Sequence, residues 1–335
     1  MRIGVIGVGR IGRYHAGVLR AHPAIERVIV HDVDDARARS VAGAIGGEVA
    51  ESLEALLGSV GAVVIAAPTS THAELIRQSV DAGVPTFCEK PIALDLESTG
   101  AIVRHVREAR VPVQIGFQRR FDAGYLRARQ MVVSGELGTV YVVRIAAHDP
   151  APPHESYIPE SGGMFRDLHI HDFDIVPFVL GQRVTEVWAT GAVLVSGMFA
   201  TYGDIDTSAA VLRFSEGTLG ILSGARHDPL GYDIRTEFFG SRDSIAVGWD
   251  ARTPLHSMEP GMPDAPPDAY AFFVERFDAA YRAELDAFLR LARDGGPSPC
   301  PPEVAEDALR IAVACDRSRA ERRSVSLDEI GDRTR

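Results

Sequence analysis

A glycine turn set between a strand and a helix constrains this chain more than any other feature. Ile3 to Ile6 reads as a short apolar strand that runs into Gly7-Val8-Gly9-Arg10-Ile11-Gly12, a G-x-G-x-x-G turn opening a helix. Each glycine has a steric reason. Gly7 makes the tight turn, Gly9 lets a pyrophosphate approach the backbone, and Gly12 lets the helix pack closely on the strand, leaving the N–H groups around Arg10 and Ile11 aimed at phosphate oxygens. A lone match is weak, but here a second strand, Val28-Ile29-Val30, follows and ends at His31-Asp32, twenty residues beyond Gly12. An acid at that strand tip can bond both ribose hydroxyls and repels a 2′-phosphate, so Asp32 predicts NAD over NADP. Arg37 and Arg39 are expected on the solvated face of the next helix.

Alternation then continues. Helices are predicted over 34–44 and 53–57, a fully buried strand over 62–66 ending at Pro68, and a helix capped by Ser70 or Thr71 that runs to Ala82. Thr86-Phe87-Cys88 is the next strand, Asp95 caps a helix to about Ala109, and Val113 to Gly116 is the last strand of the set. Strand and helix in turn predict a doubly wound parallel sheet, an α/β Rossmann domain over residues 1–118. Ligands of such sheets bind outside the carboxyl ends of the strands. Pro68, Thr69 and His72 follow one such end and Glu89 and Lys90 another, which makes them candidate cofactor contacts. A lysine at Lys90 can also hold a substrate hydroxyl.

From Arg119 the pattern changes to strands in succession: 141–147, 184–195, 209–214, 218–222, 235–239 and 244–247. They predict an α+β second domain over 119–335 with a large open, mostly antiparallel sheet, closed by amphipathic helices over 270–294 and 302–321, a short strand at 325–327 and a charged, frayed tail. Proline-rich 149–159 and 254–267 read as loops, the second a mobile excursion.

The stretch 161–181, SGGMFRDLHIHDFDIVPFVLG, is where chemistry is expected. Met164, Phe165, Leu168, Ile175 and Val179 recur at helical spacing and would seat the segment against a core. On that helix Asp167 and His171 are four apart and share a face, where an imidazole can be tuned as a proton acceptor, while His169 points elsewhere. Read alone, the pair reads first as a surface ion pair, since acid/base pairs at this spacing are common in helices. A zinc site at His169-Ile170-His171-Asp172 is not expected, because the two histidines diverge on a helix and zinc needs three or four convergent ligands.

Composition excludes several other classes. A chain of 335 residues with 46% hydrophobic and 24% charged content fits two globular domains, and a net charge of −11 argues against nucleic acid. Three cysteines with no paired spacing fit a reducing, cytoplasmic setting. The first residues already read as strand, with no leader pattern, and no apolar run approaches the roughly 18 residues of a membrane span.

Three separated stretches, GVGRIG at Gly7 to Gly12, CEKP at Cys88 to Pro91 and GGMFRDLHIHDFD at Gly162 to Asp174, resemble the glucose-fructose oxidoreductase, inositol dehydrogenase and MocA family, closest to its inositol 2-dehydrogenase branch. GFQRRFD at Gly116 to Asp122, GDIDTSAAVLRF at Gly203 to Phe214 and GYDIRTEFFG at Gly231 to Gly240 extend the resemblance over nearly the whole chain. It implies that Lys90 orients substrate, that Asp167 and His171 are the family's aspartate and acid/base histidine, and that Gln118, His148, Asp149, Tyr232 and Tyr281 line the substrate pocket. His148-Asp149-Pro150 and His227 to Leu230 depart from the branch's usual residues, which bears on substrate identity. The implied reaction is NAD-dependent oxidation of a cyclic polyol, myo-inositol first, with a pyranose sugar as the alternative and a catalytically silent NAD-binding regulator as the rival from another class. The resemblance also implies homo-oligomers, dimers or tetramers, that pair through the open sheet.

Overall fold

The computed structural model describes residues 1–262 and 264–331. The expected charged tail lies in large part outside the described residues, as does Pro263 of the second proline-rich segment.

Strands β1 (Arg2–Ile6), β2 (Arg27–His31), β3 (Glu48–Val49), β4 (Ala62–Ile65), β5 (Thr86–Glu89) and β6 (Val113–Gly116) alternate with helices α1 (Arg10–Ala21), α2 (Asp35–Ile45), α3 (Leu53–Leu57), α4 (Thr69–Asp81) and α5 (Leu96–Ala109). The sheet runs β3-β2-β1-β4-β5-β6 with every neighbouring pair parallel. Parallel strands need crossovers, and the helices that provide them cover both faces, which is why β4, β5 and β6 are buried throughout. Strand order reverses between β1 and β4, so the glycine turn after β1 and the segment after β4 flank the switch point. Asp34, Ser52 and Asp95 cap their helices by accepting N–H bonds from Arg37, Ala55 and Ser98. Helix α4 starts earlier than its sequence suggested. Pro68 takes the cap position, and the Thr71 hydroxyl donates to the Pro68 carbonyl instead of capping.

After a 3₁₀ turn (Gln118–Phe121) come α6 (Ala123–Val133), β7 (Val140–His148), α7 (Ile158–Ser161), α8 (Met164–Asp167), α9 (Ile170–Leu180), β8 (Val184–Ala192) and α10 (Met198–Thr201). Strands β9 (Thr207–Phe214), β10 (Leu219–Ala225), β11 (Asp233–Gly240) and β12 (Ser244–Val247) follow, then α11 (Phe273–Asp294), α12 (Pro302–Glu321) and β13 (Val325–Ser326). The second sheet is ordered β12-β11-β7-β10-β9-β8-β13. Its pairs are antiparallel except β7 with β10, which run parallel and so bring two carboxyl ends side by side, at His148 and Ala225. Along β9 and β10 buried and exposed residues alternate strictly, the signature of a sheet covered on one face only.

The chain does not divide at a single point. Among the described residues one compact unit holds Met1–Phe117 together with Arg282–Asp307, and the other holds Gln118–Tyr281 and residues 308–331. The first division falls between Phe117 and Gln118, and 282–307 groups with the first unit. The cause is packing. Phe288 of α11 lies on Phe87, ring centroids 5.7 Å apart, and Leu285 and Leu289 enter the same core as Val5, Val30 and Val64. The Ile115 N–H on edge strand β6 donates to the Cys300 carbonyl at 2.8 Å, so this returning segment also satisfies part of an otherwise open edge. Among the described residues no helix is long and apolar enough to cross a membrane.

Candidate active site

In the first unit the glycine turn has the geometry its sequence demands. Gly7 sits at φ 80°, and a Cβ there would lie 2.6 Å from the Ala67 backbone. A Cβ on Gly12 would come within 1.9 Å of the Gly7 carbonyl oxygen, the close helix–strand packing expected of the third glycine. Gly9 is different, since a Cβ there would meet nothing within 4 Å. It precedes α1, whose first turn carries no acid and no side-chain cap, so the positive end of the helix faces the turn without a carboxylate of its own, as suits a phosphate. Asp32 is buried at the tip of β2. Its Oδ2 accepts the Val8 N–H at 2.8 Å and its Oδ1 the Asp34 N–H at 2.9 Å. Arg37 is not simply solvated as expected: it turns back to Asp32 Oδ1 at 3.4 Å and to Asp34. Arg39 stays exposed beside Asp35. The open space at Gly9 and the acid at Asp32 fit a dinucleotide.

Pro68 and Thr69 lie beyond β4 as expected. His72 is buried with both ring nitrogens facing carbonyls, Nδ1 to Pro91 at 2.7 Å and Nε2 to Ala67 at 2.8 Å. Burial holds its pKa below the ordinary imidazole range, although both carbonyls and Glu89 oppose the shift. It ties α4 to the segment after β5. Glu89, also expected at the cofactor, bonds to His15 of α1 at 2.6 Å, a partner 74 residues away that no local pattern indicates. Lys90 follows directly, half-buried, before a cis peptide bond to Pro91.

In the second unit the expected single helix over 161–181 is broken. The His169 N–H reaches back five residues to the Met164 carbonyl, so the turn between α8 and α9 takes one residue more than an α-turn. Asp167 closes α8 and His171 stands in the first turn of α9. Met164, Phe165, Leu168, Ile175 and Val179 are all buried, as their spacing predicts. The wide turn drives His169 inward as well. Its Nδ1 meets Asp172 Oδ2 at 2.9 Å and its Nε2 the Ser208 hydroxyl at 2.8 Å, while Asp172 also takes a bond from buried Arg119. Burial lowers the His169 pKa against the pull of Asp172, so the ring is neutral with Nδ1–H donating to Asp172 and Nε2 accepting from Ser208. Burial also works against charge on Asp172, but Arg119 and His169 outweigh it and hold the carboxyl below its usual range. Gly224 of β10 is glycine for the same reason, since a Cβ there would lie 2.2 Å from His169 Nε2.

Asp167 is held by two groups that its neighbours in sequence do not reveal. The Tyr157 hydroxyl donates to Oδ1 at 2.9 Å and Arg226 Nη2 approaches Oδ2 at 2.9 Å. Arg226 also reaches Asp149 Oδ2 at 3.2 Å, so two of the expected substrate residues are joined through one guanidinium. His148, at the end of β7, lies 3.5 Å from Asp228 and 3.4 Å from the Ser223 hydroxyl. With Asp233 it forms a cluster of three ligand-type side chains, but Arg235 already matches Asp233 at 2.7 and 3.0 Å. Gln118 is buried, with an amide oxygen that has no hydrogen-bond partner among the described residues. Tyr232 is buried edge-on to Phe277, its phenol pushed up by burial, and Tyr281 is buried on α11 with its ring 6.2 Å from Phe273.

Residues 1–117 match the family model described as oxidoreductase family, NAD-binding Rossmann fold, and residues 125–246 match the GFO/IDH/MocA C-terminal domain. The chain is 38% identical to the myo-inositol 2-dehydrogenase of Thermotoga maritima, covering 98% of this chain and 99% of that one. A crystal structure of a myo-inositol dehydrogenase from Corynebacterium glutamicum superposes with a TM-score of 0.89 at 37% identity, covering 98% and 99% of the two chains. A scyllo-inositol dehydrogenase from Lactobacillus casei, crystallised with NAD(H) and scyllo-inositol, gives a TM-score of 0.87 at 26% identity, covering 98% and 99%.

Proposed function

This chain belongs to the GFO/IDH/MocA oxidoreductase family, and we propose that within it the protein is an inositol 2-dehydrogenase, oxidising a secondary alcohol of a cyclic polyol, myo-inositol first, to the ketone. The observation that carries this reading is likeness from end to end, 98% of this chain with 99% of the Thermotoga maritima enzyme, with Lys90, Asp167 and His171 each standing in the motif that suggested its role.

The glycine turn and Asp32 would hold NAD, which would supply the hydride acceptor. The protein's own part is to orient the alcohol and move its proton. His171 accepts the hydroxyl proton as the carbon is oxidised, and Lys90 hydrogen-bonds the reacting oxygen. Asp167 supplies a fixed negative charge that favours the imidazolium formed on His171. Gln118, His148, Asp149, Tyr232 and Tyr281 are proposed to meet the remaining hydroxyls. Three free, buried cysteines agree with a reducing cytoplasm, and the outer face of the second sheet is proposed to pair copies of the chain into dimers or tetramers.

The test is NADH absorbance with myo-inositol, scyllo-inositol and a set of pyranoses, using wild type and His171→Ala. Turnover of a cyclitol that is lost in His171→Ala is expected. Turnover confined to pyranoses moves the substrate class, and NAD binding with silence on every substrate sinks the dehydrogenase reading in favour of a regulator.

A further inference from the structure

We propose that Arg226 is a positioning residue for this oxidation, fixing where two carboxylates, Asp149 and Asp167, stand in the substrate region. The inference rests on the dehydrogenase reading above and adds to it a residue that no motif indicated.

The geometry is specific. Arg226 follows β10 directly, and its backbone N–H donates to the Asp206 carbonyl at 2.8 Å, fixing the base of the side chain. Because β7 and β10 are parallel, Asp149 leaves one strand end beside Arg226 leaving the other, and the Asp149 N–H donates to the Ala225 carbonyl at 2.9 Å. The guanidinium then divides its fork, Nη1 to Asp149 at 3.2 Å and Nη2 to Asp167 at 2.9 Å. Its side chain is 4% exposed, whereas those of Asp149 and Asp167 are 23% and 13% exposed. The cation therefore lies beneath and the acids reach outward.

Burying a guanidinium is costly unless it is paired, and Asp149 and Asp167 supply that pairing. Here the partners keep an open side, and their sum with Arg226 is one net negative charge. Burial disfavours charge on Arg226, but Asp167 and Asp149 more than offset it and raise its pKa, so the cation is permanent. An arginine fork sets two carboxylates at a definite spacing in a way a lysine point charge does not. Two carboxylates at fixed spacing suit a ligand that offers hydroxyl donors on neighbouring carbons, as a polyol does, and repel an anionic one.

The experiment uses the full-length protein with Arg226→Gln and Arg226→Lys. Steady-state kinetics are read across pH with myo-inositol and NAD, and the carboxyl carbons of labelled aspartate are titrated by NMR. Arg226→Gln is expected to lower kcat/KM for the polyol about ten-fold or more, the scale of losing a hydrogen bond to a charged group, with KM for NAD unchanged. The acid limb of the profile and the Asp149 and Asp167 resonances should move to higher pH, since each carboxylate loses its cation. Arg226→Lys should restore the acid limb but only part of the loss. Wild-type kcat/KM and an unmoved acid limb in Arg226→Gln, whatever its melting temperature, overturn the proposal. If Arg226→Gln fails to fold, Arg226→Lys decides alone, and wild-type KM for the polyol in that variant overturns it. If wild type turns over no polyol, the dehydrogenase reading falls by itself. The hold on the two acids is then judged by their titration, and unmoved resonances overturn it.

Discussion

The carboxylate of Asp32 accepts the backbone N–H of Val8 at 2.8 Å, joining the tip of β2 to the middle of the glycine turn. One side chain thus does two things that sequence reasoning assigned to separate parts of the fingerprint. It presents an acid where a ribose is expected, and it fixes the turn on which a pyrophosphate is expected. Arg37, 3.4 Å from the other oxygen, is neutralised by the same acid.

Removing that acid should therefore do more than relax selectivity. Asp32→Ser is expected to lower kcat/KM with NAD about 10- to 100-fold, as for loss of hydrogen bonds to a charged group, and to raise it with NADP because Arg37 is released toward a 2′-phosphate. Adding Arg37→Ala should abolish the gain with NADP and leave the loss with NAD. An unchanged ratio of the two cofactors in Asp32→Ser would remove Asp32 from the ribose.

A second prediction concerns acid stability. His169 and His72 are buried and their pKa values are lowered from the ordinary 6.5. Below about pH 6.5 the unfolded chain takes up protons at these rings that the native chain does not. Stability contributed by their neutral forms is thus complete above 6.5 and falls as pH drops toward the lowered native values, by at most about 2.7 kcal/mol per pH unit for two such groups. Asp316, pushed up to about 6 by burial, acts in the opposite sense, and its contribution is lost as pH rises through that value. The signature is therefore the difference between wild type and His169→Gln in thermal melts from pH 7.5 to 5. The variant should be less stable at pH 7.5 yet lose less on acidification, and parallel curves would mean that His169 does not titrate on unfolding.

The first unit was legible because its signals are local. A glycine turn, an acid at the next strand tip and capping residues such as Asp34 and Asp95 each act within a few residues of themselves. The site of the second unit is read less well for the converse reason. Arg226 meets Asp167 across 59 positions and Glu89 meets His15 across 74, and no periodicity encodes such pairs. The break after α8 escapes notice because Leu168 and His169 keep right-handed helical backbone while the hydrogen bonding widens, so the apolar stripe continues through it. The parallel pairing of β7 with β10 is invisible in the same way, since alternation shows which face a residue takes and not which way its neighbour runs.

The outer face of the second sheet carries the last prediction. Trp188, Val211, Ile221, Arg144 and Glu237 fall in one row across β8, β9, β10, β7 and β11, and the first three are exposed. Exposed apolar side chains in register across neighbouring strands make a flat patch of the kind that marks an association surface, whereas scattered ones do not. Arg144 and Glu237, bonded at 2.7 Å, close the row with a matched pair that leaves no net charge to repel a second copy. If copies pair through this face, Ile221→Glu places a charge at its centre that a dry contact would have to bury unpaired, at a cost of several kcal/mol. Light scattering behind size exclusion should give a multiple of the chain mass for wild type and a smaller assembly for Ile221→Glu, with the melting temperature of the isolated chain little changed because the position is solvent-facing. Assembly at the wild-type mass in that variant would move the contact to another surface.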